Sequence, residues 1–225
     1  MNIIFDYDGT LHNTKLIYGA ALREAYKYLE EKKLVQPKEI SDDLAASFLG
    51  FSPDETWNIL APGLNSQIKS EIIQLTGENM DMQIKAGKSQ LYSGVENVLS
   101  ALKNQGHRMY ILSNCTEYYM ESHRKGFNLD RFITGYYPAE RYGYIPKPEI
   151  FNEIKKDAEK NISSTKTDDF IVIGDRFHDI QVAKIHNLHS VGCLYGFGSA
   201  EELADSEYLI DSIKQLPHII EKINQ

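Results

Sequence analysis

Short apolar runs alternate with stretches of helical spacing along most of this chain. "IIF" (3–5), "RMYILS" (108–113), "DFIVIG" (169–174) and "HSVGCLYG" (189–196) predict strands buried on both faces. Between them, "GVENVLSALKNQG", "EIFNEIKKDAEK" and "DIQVAKIHN" carry apolar residues at helical spacing. In the first of these, Val95, Val98, Leu99 and Leu102 fall at i, i+3, i+4 and i+7, one face of a helix. The alternation predicts an α/β fold, a Rossmann-like, doubly wound parallel sheet with helices on both faces. In such a sheet the site lies in the loops at the carboxyl ends of the strands.

Residues 15–87 break this rhythm. Leu22, Ala25, Tyr26 and Leu29 make one helical stripe, and Ile68, Ile72 and Leu75 another. "SDDLAASFLG" and "SPDETWNIL" both open with a serine followed closely by acidic residues, a helix-start signal. No strand pattern occurs there. The expected organisation is an α/β core built from 1–14 and 88–225, with 15–87 as an inserted all-helical cap. Trp57, the single tryptophan, and Phe51 fall in the cap; packing of the cap's interior is the simpler use of Trp57.

Composition narrows the partners. Of the 225 residues, 42% are hydrophobic and 25% charged, a mixture able to bury a sizeable core. The formal net charge of −8 argues against a nucleic acid polymer, whose phosphates need clustered Lys and Arg. No apolar run approaches the roughly 20 residues of a membrane span, and the first residues do not resemble a signal peptide. Cys115 and Cys193 are too few for a disulfide framework and lack metal-ligand spacing. The expectation is a cytoplasmic protein with no membrane contact and no obligate protein partner. An anionic substrate would need a local positive feature to be held.

Each expected core strand ends in a polar group. Asp6 and Asp8 follow 3–5, Ser113 and Asn114 close 108–112, and "GDRFHD" with Asp175 and Asp179 follows 170–174. Lys147 stands between Pro146 and Pro148, ahead of a helix. In a parallel sheet these groups meet at one edge. Two unit charges about 4 Å apart interact by roughly 4 kcal/mol at an effective dielectric near 20. Four carboxylates converging there would demand a hard divalent cation such as Mg²⁺, which takes oxygen ligands and substrate phosphate. Each group also has a plain structural use: Asp8-Gly9 as a turn, Asp179 and Ser113 as caps, Lys147 as a solvated loop residue. Other tempting side chains have weaker claims. Cys115 lacks a Cys-His-Asn signature, His186 and His189 fall across a helix end and are expected to face solvent, and no GxSxG stretch exists.

"DYDGT", "LSN", "PKPEIF" and "GDRFHD", in this order, resemble the four signature motifs of the haloacid dehalogenase superfamily of phosphotransferases. The helical insertion resembles the cap of the subgroup that includes phosphoglycolate phosphatases and β-phosphoglucomutases. "LYSGVENVLSALKNQG" and "YGFGSAEEL" also resemble that subgroup. The resemblance implies that Asp6 is a nucleophile forming an aspartyl-phosphate, and that Asp8 protonates the leaving oxygen and later activates water. It implies Ser113 as a donor to a phosphoryl oxygen and Lys147 as the neutralising cation. Mg²⁺ would bind Asp6, the Asp8 backbone carbonyl and Asp175, with Asp179 a ligand or a positioning partner. Asn114, His12 and Arg176 are candidate substrate contacts, though His12 and Arg176 equally suit local hydrogen bonds and ion pairs. Two positions depart from the family pattern: Asn13 stands where aspartate is frequent, and Arg176 where a small residue is common. The implied activity is Mg²⁺-dependent hydrolysis of a small phosphorylated metabolite. A sugar phosphomutase and a catalytically silent phosphometabolite-binding protein are the alternatives; a dehalogenase has no need of Asp8.

Overall fold

The computed structural model describes residues 1–160 and 170–224. Asp169, first residue of the expected third strand, lies outside the described residues. Among the described residues, six strands form one parallel sheet: β1 (Asn2–Phe5), β2 (Arg108–Ser113), β3 (Gly135–Pro138), β4 (Phe170–Gly174), β5 (His189–Cys193) and β6 (Tyr208–Ile210). Their spatial order is β3-β2-β1-β4-β5-β6, so the chain winds outward from β1 in one direction and then in the other. The crevice at the end of β1 is therefore a topological switch point.

The strands divide their side chains between two buried faces, as continuous apolar runs must. Ile3, Phe5, Met109, Ile111, Ile171 and Ile173 pack on one side with α5 (Val95–Asn104), α6 (Glu117–Gly126) and α9 (Leu216–Ile223). Ile4, Tyr110, Leu112, Phe170 and Val172 pack on the other with α7 (Lys147–Glu159) and α8 (Phe177–His186). The four helix-facing residues expected from the spacing in α5, Val95, Val98, Leu99 and Leu102, are all buried.

The edge strands β3 and β6 were not among the expected strands. β3 reads "GYYP" and β6 "YLI", too short for a period to show; each gains its register from a longer neighbour. His186 also departs from expectation. Rather than facing solvent freely, its Nε2 lies 2.7 Å from the Pro148 carbonyl and its ring packs on Phe151.

Between β1 and α5 lie four helices: α1 (Lys15–Glu31), α2 (Asp42–Ser47), α3 (Pro53–Leu60) and α4 (Ser66–Lys85). Ser41 accepts from the Leu44 amide at 3.1 Å, and Ser52 and Glu55 form a reciprocal capping box on α3. Leu22, Ala25, Leu29, Trp57, Leu60 and Ile72 make a separate apolar cluster inside this helical cap, with Trp57 only 1% exposed. Among the described residues no helix is long and apolar enough to cross a membrane.

Candidate active site

Pairing fixes the strand tips side by side. Phe5 is level with Ile111 on β2 and Ile173 on β4, and the Asp6 amide donates to the Ile173 carbonyl at 2.8 Å. Asp6 and Asp175 therefore leave adjacent strands at nearly the same height. Asp179 joins them from the first turn of α8, where its Oδ2 accepts the Arg176 amide at 3.0 Å. One carboxylate oxygen from each of Asp6, Asp175 and Asp179 lies within 4.8 Å of the others, and all three residues are buried.

Lys147 opens α7 and is equally buried. Pro146 and Pro148 on either side hold an extended entry into the helix, where a missing amide proton costs nothing. Its ammonium lies 2.6 Å from Asp179 Oδ1 and 2.9 Å from Asp6 Oδ1. Burial pulls that ammonium's pKa down, but Asp179 and Asp6 more than reverse the effect and the net shift is upward. Burial, followed by repulsion from Asp179, raises Asp6 well above the ordinary carboxylate range despite Lys147. The same two causes push Asp175 up to about 7. With all three carboxylates ionised, one ammonium would leave two negative charges uncompensated, which adds to burial in holding the Asp6 and Asp175 pKa values up. All the donors are hard oxygens, so the set fits a divalent cation of the Mg²⁺ type.

The turn after β1 serves this cluster. Gly9 has φ +84°, and a Cβ there would stand 2.2 Å from Asp175 Oδ2, so both the turn and the close approach require glycine. Thr10 Oγ1 donates to Asp175 Oδ1 at 3.0 Å, and the Phe197 amide donates to Oδ2 at 2.8 Å. The turn reading of Asp8-Gly9 and the charged-site reading thus hold together.

Asp8 differs from the other three. Its carboxylate is not in the cluster; Oδ1 receives the Tyr119 hydroxyl at 2.6 Å, His12 Nδ1 at 3.1 Å and the Thr14 hydroxyl. This corrects the expectation of four converging carboxylates to three. Burial raises the Asp8 pKa, but hydrogen bonding and charge from His12, with His123 and Thr14, reverse it to a net lowering.

A family model described as haloacid dehalogenase-like hydrolase matches residues 3–193, a span that contains Asp6, Asp8, Lys147, Asp175 and Asp179. The chain belongs to the haloacid dehalogenase-like hydrolase family. It is 25% identical over 208 residues to a 5'-nucleotidase of Pseudomonas aeruginosa, covering 90% of this chain and 86% of that one. A phosphoglycolate phosphatase of Mannheimia succiniciproducens is 22% identical over 244 residues, covering 96% of each. The fold is also that of a β-phosphoglucomutase from Clostridium difficile, at TM-score 0.75 and 20% identity, covering 99% of this chain and 96% of that one.

Within this haloacid dehalogenase-like frame, the remaining candidates separate. Ser113 ends β2, is 2% exposed and shares a hydrogen bond with the Cys115 side chain. Burial, then the Asp8 charge, push the Cys115 thiol far above its ordinary pKa, which leaves it inert as a nucleophile. Asn114 lines the cavity beneath the cap and points its amide at the Gly50 carbonyl, 3.4 Å away. His12 is not brought to that cavity. It is fully buried behind Asp8, with Nε2 2.6 Å from Ser89 Oγ, Nδ1 3.1 Å from Asp8 Oδ1 and its ring stacked on Tyr7, the arrangement of a local hydrogen-bond partner. Arg176 is also drawn elsewhere: Nε pairs with Glu202 at 2.7 Å, and a guanidinium nitrogen donates to the Leu49 carbonyl of the cap. Gly50, at φ +92°, lets this arm pass, since a Cβ would stand 2.8 Å from the guanidinium.

Tyr119, Thr14, Ser89, Thr10 and Glu202 were not singled out in the sequence. Thr14 and Thr10 lie close enough to Asp8 to be found by a reading of the turn's hydroxyls. Tyr119 is 111 residues from Asp8 and carries no local signal.

Proposed function

We propose that this protein is a Mg²⁺-dependent phosphatase acting on a small phosphate monoester through an aspartyl-phosphate on Asp6. The observation that carries the reading is the pairing of two differently held carboxylates two residues apart. Asp6 sits in a buried cluster with Lys147, and Asp8 is held outside that cluster by three donors on one oxygen. The activities of the phosphatase relatives support the same reaction class.

In this reading Asp6 attacks phosphorus, splitting one hard displacement into two easier ones. Lys147 neutralises charge on Asp6 and on the phosphoryl group, and Ser113 donates to a phosphoryl oxygen. Asp8, an anion at rest because its pKa is lowered, relays to the leaving oxygen the proton that a monoester monoanion brings in, and later takes one from the attacking water. Asp6, the Asp8 carbonyl and Asp175 would hold Mg²⁺, with Asp179 oriented by Lys147 and the Arg176 amide. When bound, the ion would supply charge stabilisation for the phosphoryl oxygens and a local positive charge in an acidic protein. Residues 15–87 act as the cap on the core of 1–14 and 88–225, with hinges near 14–16 and 86–89, and closure excludes bulk water.

The test is phosphate release from a panel of monoesters with Mg²⁺ and with a chelator. Asp6→Asn should lose at least about a thousandfold in kcat while keeping its circular dichroism spectrum. Turnover surviving Asp6→Asn removes the covalent step, and turnover indifferent to chelation removes the metal. Migration of phosphate within the substrate, without release, replaces the phosphatase by a mutase.

A further inference from the structure

One helix of the core holds two consecutive residues of the turn after β1. Tyr119 and His123 are four apart on α6 and so share one face of it. His123 Nδ1 lies 2.7 Å from the Tyr7 hydroxyl, and the Tyr119 hydroxyl donates to Asp8 Oδ1 at 2.6 Å. The Tyr119 ring is itself fixed by packing: its centroid is 4.1 Å from that of His123, and it meets Tyr7 edge to face at 6.4 Å. Tyr119 is buried, and together with Asp8 it lines the cavity beneath the cap.

The three donors to Asp8 Oδ1 are not equivalent. His12 Nδ1 donates in one tautomer only. When the proton sits on Nε2, 2.6 Å from Ser89 Oγ, Nδ1 is an acceptor within reach of the Tyr119 and Thr14 hydroxyls, at 3.3 and 3.0 Å. Thr14 immediately precedes α1 and Ser89 follows α4, so both stand in the segments that join the cap to the core. Tyr119 alone holds Asp8 from a core helix, with a donor that suits either tautomer of His12. Among the described residues, no side chain or amide donates to Asp8 Oδ2. A proton on Oδ1 would face hydroxyls already aimed at that oxygen, so protonation is confined to Oδ2.

We infer that Tyr119 is a positioning residue for the proton relay: by pinning Oδ1 it leaves Oδ2 as the one oxygen of Asp8 that exchanges a proton with the leaving group. This rests on the phosphatase reading above and adds to it the residue that aims Asp8. In the step so aimed, the Oδ2–H bond breaks and an O–H bond forms on the leaving oxygen, which keeps the electron pair of the broken P–O bond. Loss of the Tyr119 hydroxyl frees the carboxylate to turn, and this slows only those transfers whose leaving oxygen needs the proton.

The experiment measures kcat/KM for ethyl phosphate and acetyl phosphate with Mg²⁺ in wild type, Tyr119→Phe, Asp8→Asn and the double variant. The two substrates are close in size, but ethanol must leave with a proton whereas acetate leaves as a stable anion. This constant reports the transfer to Asp6 and is blind to the later hydrolysis, in which Asp8 acts on water. Tyr119→Phe keeps the ring and should cut the ethyl-to-acetyl ratio about tenfold, the scale of a hydrogen bond to a charged group. Asp8→Asn should cut the ratio further, and adding Tyr119→Phe to Asp8→Asn should cut it no more. Because both substrates meet the same folded enzyme, the ratio is insensitive to any loss of stability. Equal losses on the two substrates, or an added loss of ratio in the double variant, overturn the positioning role and leave the phosphatase standing. Release of phosphate from neither substrate by the wild type overturns the phosphatase reading, and the positioning role with it.

Discussion

Around Lys147 the protein buries three carboxylates and one ammonium within a few ångströms; under the cap, on the far side of Asp8, it buries rings and methyl groups around a single charge. The first region is held by electrostatics that burial makes costly. Removing Asp6, Asp175 and Asp179 from water raises the pKa of the first two, and Lys147 offsets only part of the excess charge. The second region is held by ordinary apolar packing, continuous with the cluster around Trp57. On the reading proposed above, phosphoryl chemistry belongs to the strand tips and the cap encloses the leaving group. Asp8 belongs to both, facing the cavity while anchored to the turn.

Four changes probe this division, from the largest expected effect to the smallest. Asp8→Asn keeps the shape of the side chain but can neither take up nor release a proton, so kcat should fall by roughly 10²–10⁴. Steady-state rates with an intact thermal unfolding midpoint check it, and a loss below tenfold removes Asp8 from proton transfer. Lys147→Met leaves the buried carboxylates without their cation. It should destabilise the metal-free protein by about 3–5 kcal/mol in urea unfolding, with part of the loss recovered in Lys147→Met/Asp179→Asn. An unchanged midpoint would mean that the ion pairs at 2.6 and 2.9 Å carry no weight.

The third change concerns pH. In the metal-free protein the Asp175 pKa is raised from 3.8 to about 7, with burial the main cause and Asp179 the next. Between those values the folded state keeps a proton that the unfolded chain has released, so Asp175 lowers stability as pH rises through this window. The penalty is absent below the unfolded pKa and complete above the folded one. Asp175→Asn should therefore gain on wild type between about pH 4 and 8, by an amount on the order of a few kcal/mol. The pH dependence of the difference is the readout, because asparagine also loses an acceptor for Thr10 or the Phe197 amide. Added Mg²⁺ should close the gap by stabilising wild type, and a difference flat with pH would contradict the raised pKa.

The smallest effect belongs to the arm between the regions. Arg176→Ala removes the Glu202 ion pair and the hydrogen bond to the Leu49 carbonyl. Each partly exposed contact contributes about 0.5–1 kcal/mol, so KM should rise about two- to fivefold with faster amide exchange at 48–52. If kcat falls as sharply as in Asp8→Asn while KM holds, Arg176 acts on the chemistry instead of on the cap.

Much of the core was legible because its signals are local. The runs 3–5, 108–113 and 170–174 are strands, and the helical spacing at 95–102 is a buried face. Ser41 and Ser52 begin helices where their acidic neighbours suggested. The edge strands 135–138 and 208–210 were not legible, since three or four residues carry no usable period and pairing alone defines them. The candidate site divides in the same way. Asp6, Asp175, Asp179 and Lys147 meet because parallel strands end at one edge. The placements of His12 and Arg176 depended on contacts 77 and 127 residues away, with Ser89 and Leu49, that no local pattern announces.

The sequence by itself determined the alternating core, the helical insertion after β1 and the acidic and basic groups at the strand ends. Those follow from periodicity and residue chemistry along a short stretch of chain. Only the tertiary structure decided that three carboxylates converge and the fourth stands apart, that His12 supports Asp8 from behind, that Arg176 grips the cap, and that the cavity carries one charge. Each of these depends on which side chains are brought together through space and removed from water, and the order of residues along the chain does not record it.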